Sequence, residues 1–247
     1  MRYHGGKWRQ GPRIALEVAR LHRSGHHHYY EPFCGALGAA QRVAAHLDPR
    51  LIHLSDSNQA LITMWNAFFK GWRPLGLKVS DHAKLKMAQD TRDPNTAFVG
   101  VALSFFGRWF NPPVSRDPAK WNRYVLQTVN AMERTHAALD GATFKCTDYR
   151  RVRYRKGSTV YLDPPYGENP HAIRNMHGSA VPFDTDEFWR YADHMVGDGL
   201  TVLVTGFSAP KDWRAIWSWG DTLTVPANRQ ALDRKTTEQI YVHRLQK

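Results

Sequence analysis

The chain has 247 residues, with 34 Lys plus Arg against 22 Asp plus Glu, a formal charge of +12, and a hydrophobic fraction of 42%. That length and apolar content support a full core and exclude a disordered, collagenous or solenoid chain. No apolar run reaches the roughly 18–20 residues of a membrane-spanning helix, and the two cysteines, Cys34 and Cys146, exclude a disulfide framework or a four-cysteine metal site.

The first residues lack the apolar core and cleavage site of a secretory signal, so a soluble, cytoplasmic protein with reduced, buried cysteines is expected. Its positive balance fits a polyanionic partner, because cations that neutralise phosphates release condensed counterions.

In chain order, apolar spacing predicts an amphipathic helix over 12–23 with Pro12 in its first turn. A strand over 29–33 then runs into the turn Cys34-Gly35, followed by a helix over 36–47, a strand over 51–54 and a helix over 58–69. Strand and helix in alternation imply a parallel sheet with crossover helices. From 71 to 139 helical and aromatic patterns interrupt the alternation, which marks an insertion projecting from the sheet. Strands resume at 143–146, 159–162, 200–205 and 238–243, with a helix over 185–195. The expected class is therefore an α/β, Rossmann-like fold built from 1–70 and 140–247, with 71–139 inserted.

The sharpest chemical signal is Asp163-Pro164-Pro165-Tyr166, directly after a buried-looking strand. In open parallel sheets ligands bind beyond the carboxyl ends of the strands. Two prolines fix the backbone and donate no N–H, leaving carbonyls to accept from a ligand. A carboxylate, a rigid carbonyl and an aromatic face suit methylation of a nucleobase amine. Asp163 and the Pro164 carbonyl would accept the two amine hydrogens, freeing a lone pair otherwise delocalised into the ring, while Tyr166 stacks on the extruded base.

Earlier, Gly35 lets the backbone approach a ligand at a strand-to-helix turn. Asp56 ends the next strand, 21 residues on, where a carboxylate holds the ribose hydroxyls of an adenosine-containing cofactor. The run Arg150-Arg151-Val152-Arg153-Tyr154-Arg155-Lys156 reads as a phosphate-contacting or solvated loop. His26-His27-His28 are consecutive, do not converge on one ion, and are expected to be exposed, with no metal in the site.

Tyr3-His4-Gly5-Gly6-Lys7, the Glu31-Pro32-Phe33 turn, Leu54-Ser55-Asp56-Ser57-Asn58, Cys146-Thr147-Asp148-Tyr149 and Asp163-Pro164-Pro165-Tyr166, in that order, resemble the Dam-like class of DNA adenine methyltransferases, above all its phage and prophage members. The likeness extends over most of the chain, including 105–110, 183–189 and 208–213. It implies a Rossmann-like methyltransferase fold, S-adenosylmethionine as methyl donor, duplex DNA as partner and transfer to the N6 amine of a flipped adenine, by a monomer.

By that resemblance Tyr3, Gly6, Lys7, Glu31, Phe33, Gly35, Asp56, Asp148 and Tyr149 hold the cofactor. Asp163, Pro164, Pro165 and Tyr166 hold the target base, and the inserted segment reads DNA. Arg108 and Trp109 there, with Arg151 and Arg153, are the expected DNA contacts. Phage-like kinship implies protection of a genome from restriction. Two departures stand out: Ala36-Leu37 occupy positions where many members carry glycine, and the middle segment lacks the Asn- and Arg-rich stretch of GATC-methylating members. An RNA amino-methyltransferase and a non-catalytic DNA-binding relative are the alternative readings.

Overall fold

The computed structural model describes residues 6–22, 27–165, 183–219 and 237–246. Its centre is a seven-stranded, mostly parallel sheet flanked by helices. The strands are β1 (Tyr29–Glu31), β2 (Ile52–Asp56), β3 (Thr143–Cys146), β4 (Thr159–Leu162), β5 (Thr201–Gly206), β6 (Trp213–Ser218) and β7 (Gln239–His243). They lie in the order β3-β2-β1-β4-β5-β7-β6. The first five are parallel, whereas β7 runs antiparallel to both β5 and β6. The order 3-2-1-4-5 is compatible with a Rossmann-like fold, and its reversal between β1 and β4 is where sheets of this kind form a ligand crevice, outside the carboxyl ends of the strands.

Side-chain alternation divides the core between the two faces of the sheet. Tyr29, Ile52, Leu54, Tyr161, Leu203, Ile240 and Val242 share one buried cluster with α1 (Gly11–Leu21), α2 (Ala40–Val43) and α3 (Gln59–Phe69). Tyr30, Val160, Leu162, Val202, Val204 and Tyr241 face the other way, onto Phe188, Ala192 and Met195 of α7 (Thr185–Gly197). Asn58 caps α3 by accepting from the Leu61 N–H at 3.2 Å, and Asp184 caps α7 by accepting from Glu187 at 2.7 Å.

The interrupted stretch lies between β2 and β3 and contains α4 (Asp81–Ala88), α5 (Pro94–Ala102) and α6 (Pro118–Ala138). Phe98, Trp121 and Met132 from these helices belong to the same buried cluster as Tyr29 and Tyr161. The insertion is thus anchored in the main core through α3.

Several expected elements differ in extent. The helix over 36–47 contracts to Ala40–Val43, because Gly35 and Leu37 both take positive φ, 48° and 63°, and hold the preceding residues in turns. Strand β6 was not anticipated. It is an edge strand whose pattern is mostly exposed, so no apolar alternation announces it. The β3–β4 connection contains only a one-turn helix at Tyr149–Arg151, in place of a full crossover helix. Val152 and Tyr154 pack inward along this strap and Arg151 and Arg153 are exposed, whereas Arg155, though largely exposed, turns its guanidinium onto His28.

His28 corrects the expectation of an exposed histidine run: it is buried, while Cys146 is only partly so. At 2.7 Å from His28 Nε2, Arg155 Nη1 can only donate, so Nε2 must accept. The proton is therefore on His28 Nδ1, which donates to His53 Nε2 at 2.6 Å, and His53 Nδ1 in turn donates to Thr143 Oγ1 at 2.8 Å. Two neutral rings and a cation are chained across the amino edge of the sheet, opposite the crevice. Among the described residues no helix is long and apolar enough to cross a membrane.

Candidate functional site at the carboxyl edge of the sheet

The turn after β1 is fixed from both sides. Gly35 donates its N–H to Asp56 Oδ2 at 3.0 Å, and its carbonyl accepts from the Trp65 indole at 3.2 Å. Asp56 Oδ1 accepts from the Asn58 N–H at 2.9 Å, so the carboxylate ties the β1 turn to the end of β2. Leu37, where glycine is the conformationally free choice, is held in the left-handed region by a side chain that is fully buried. Burial pushes the Asp56 carboxyl above the usual aspartate range, partly offset by the Asn58 and Gly35 N–H groups.

On β4, the same period of two that turns Tyr161 toward α1 turns Asp163 the same way. Tyr161 and Thr205 share a 3.0 Å hydrogen bond, and Thr205 donates to Asp163 Oδ1 at 2.9 Å. Lys7 reaches the same oxygen at 2.8 Å and Glu238, just ahead of β7, at 3.0 Å. Gln10 donates to the other Glu238 oxygen at 3.3 Å. Burial pulls the Lys7 ammonium toward its neutral form, but the two carboxylates outweigh it and its pKa stands above the ordinary lysine value. The segment carrying Lys7 lies on the β1 turn so closely that a Cβ added to Gly38 would stand 2.9 Å from the Lys7 carbonyl carbon.

Glu31 ends β1 beneath these groups, fully desolvated. Burial pushes its carboxyl well above the usual glutamate range, with the hydrogen bond from the Tyr29 hydroxyl, 2.8 Å, acting against that shift. Pro164 is buried and Pro165 half-buried at the end of β4. Phe33 packs on Tyr149 with ring centres 5.0 Å apart, and Phe188 completes a cluster beside the β3 end. Asp148 accepts a bidentate pair from Arg150 at 2.8 and 2.9 Å, and Arg150 also reaches Glu187 at 3.0 Å; the Arg150 hydrogen bonds hold Asp148 below the usual aspartate range.

The structure thus gathers Lys7, Asp163 and Glu238 into one ion cluster, with Glu31, Gly35 and Asp56 on the neighbouring strand ends. Phe33, Asp148 and Tyr149 stand together at the end of β3. Gly6 is exposed beside Lys7, while Tyr3 and Tyr166 lie outside the described residues. Sequence reading took Glu238 only as the first residue of the strand expected over 238–243 and gave it no role in the site. In the insertion Arg108 is exposed, whereas Trp109 is half-buried: its ring lies where a Gly100 Cβ would be, 2.6 Å away, and its indole donates to Gln89 at 3.3 Å. The strap carrying Arg151 and Arg153 descends from the carboxyl edge at Asp148 to the amino edge at Ser158. Among the described residues no three His, Cys, Asp or Glu side chains group as a metal site.

Comparison of the chain with models of known protein families gives no match, and comparison with curated proteins gives none either.

Proposed function

We propose that the chain is an S-adenosylmethionine-dependent DNA adenine methyltransferase acting on the N6 amine of an adenine flipped out of duplex DNA. The observation that carries this reading is the juxtaposition, across the β1–β4 crevice, of the Gly35 turn tied to Asp56 with the Asp163-Pro164-Pro165 strand end. A glycine turn with a following carboxylate is the arrangement that holds an adenosine-containing cofactor in Rossmann-like sheets. The donor set suits that group: Asp56 for ribose hydroxyls, Glu31 and Lys7 for the amino-acid end, and Phe33, Tyr149 and Asp148 for the adenine.

S-adenosylmethionine, when bound, supplies a methyl group already activated by its sulfonium. The work left to the chain is alignment in a water-poor pocket. Asp163, oriented by Thr205 and Lys7, accepts one amine hydrogen of the target adenine, and the Pro164 carbonyl accepts the other. Together they draw the nitrogen toward tetrahedral geometry and aim its lone pair. Arg108 on the insertion, with Arg151 and Arg153 on the strap, contacts the duplex; the enzyme acts as a cytoplasmic monomer.

The test is transfer of labelled methyl groups to unmethylated duplex DNA and, in parallel, to a structured RNA. Label in DNA alone supports the reading, whereas label in RNA alone replaces it with an RNA amino-methyltransferase. Cofactor and DNA binding without transfer to either substrate identifies a non-catalytic relative.

A further inference from the structure

We propose that Glu238 is a positioning residue for Asp163, acting through the Lys7 ammonium that the two carboxylates share; its effect on turnover rests on the reading of Asp163 as acceptor of the target amine. Three observations carry it. Lys7 lies between Asp163 at 2.8 Å and Glu238 at 3.0 Å, with 7% and 5% of Lys7 and Glu238 left exposed. Residues 6–10 belong to no strand or helix, so this cluster and the Gln10–Glu238 bond tie the segment to the strand ends. Because β7 is antiparallel to β5, its first residues stand at the edge where β4 ends, which is how a carboxylate from late in the chain reaches the crevice.

Shared between two carboxylates, the ammonium is kept charged in a buried setting that favours loss of its proton. It also cannot collapse onto Asp163 alone and compete fully for the oxygens an amine must reach. Asp163 from β4 and Glu238 from β7 face Lys7, and Glu31 from β1 feels its charge, with Asp56 beyond on β2. Loss of Glu238 therefore lowers the pH at which Lys7 gives up its proton.

The experiment compares wild type, Glu238→Gln and Glu238→Asp by two readouts. One is the pH dependence of Lys7 acylation by mass spectrometry, which needs no turnover; the other is kcat and KM for methyl transfer across pH. Glu238→Gln keeps the size of the side chain and an acceptor for Gln10. It is expected to titrate Lys7 at lower pH, to lower kcat roughly tenfold or more with KM for cofactor and DNA within about threefold, and to move the alkaline limb of the rate profile to lower pH. Glu238→Asp, which retains the charge, is expected to restore part of both. Unchanged Lys7 titration in Glu238→Gln overturns the proposal, and so does a shifted titration with unchanged kcat. If wild type transfers no methyl group to DNA or RNA, the functional reading fails and the positioning role falls with it, whereas the Lys7 titration still reports the tie itself.

Discussion

Gly35 and Asp56 are joined by one hydrogen bond of 3.0 Å that makes the cofactor-side turn and the end of β2 a single unit. The carboxylate proposed to hold a ribose is therefore also a structural clasp. Asp56→Ala is expected to weaken S-adenosylmethionine binding and to lower stability, each by about 1–3 kcal/mol, since the ribose hydroxyls and two backbone N–H donors lose their acceptor. Calorimetric titration and urea unfolding measure the two effects. Unchanged cofactor affinity in a destabilised protein would leave Asp56 the clasp alone.

Glu31 makes folding sensitive to rising pH. Burial raises its folded-state pKa above the ordinary value of 4.5, so between those two pH values the native state binds more protons than the unfolded chain, and stability falls as pH rises through that window. Glu31→Gln removes the titration and is expected to gain stability relative to wild type as pH increases. Urea unfolding of both proteins at about pH 5 and about pH 9 reads the difference, and parallel pH dependence would remove Glu31 as its source.

At the opposite edge of the sheet the sign is reversed. Burial lowers the folded-state pKa of His28 and His53, with the Arg155 charge adding to it at both rings. Below the ordinary histidine range the unfolded chain takes up protons that the native state refuses, so stability is lost as pH falls. Protonation of His28 would also set an N–H against the Arg155 guanidinium. His28→Gln is expected to flatten the acid side of the stability profile, measured by thermal unfolding between about pH 7.5 and about pH 5. An unaltered slope would show that the chained rings do not set it.

Arg108 and Trp109 are adjacent in sequence and differ in setting. Arg108→Ala is expected to weaken duplex binding by about 1–3 kcal/mol without altering the unfolding midpoint. Gly100→Ala pushes a methyl into the Trp109 ring and is expected to cost about 1–3 kcal/mol of stability. Fluorescence anisotropy with a labelled duplex, paired with urea unfolding, separates contact from packing. A destabilised Arg108→Ala variant would contradict this division.

Much of the sheet was legible as short runs of apolar, aromatic and β-branched residues, and 143–146 and 159–162 coincide with β3 and β4. The strand-end positions of Asp56 and Asp163 followed from the same pattern. Glu238 was not legible, because its partner Lys7 is at the other end of the chain and only the antiparallel course of β7 brings the two together. His28 was misread for a similar reason: a histidine in a polar run looks exposed until His53 from the next strand and Arg155 from the strap cover it. In the strap, read as a phosphate-contacting or solvated loop, the inward packing of Val152 and Tyr154 was not legible because arginines alternate with them.

The most direct test of the central claim is nucleoside analysis of unmethylated duplex DNA after incubation with methyl-labelled S-adenosylmethionine and either wild type or Asp163→Ala. Wild type is expected to give labelled N6-methyladenine, and Asp163→Ala about a hundredfold less or lower still, with cofactor and DNA binding largely kept. Labelled N4-methylcytosine would contradict the assigned base, and near-normal N6-methyladenine from Asp163→Ala would contradict the assigned site.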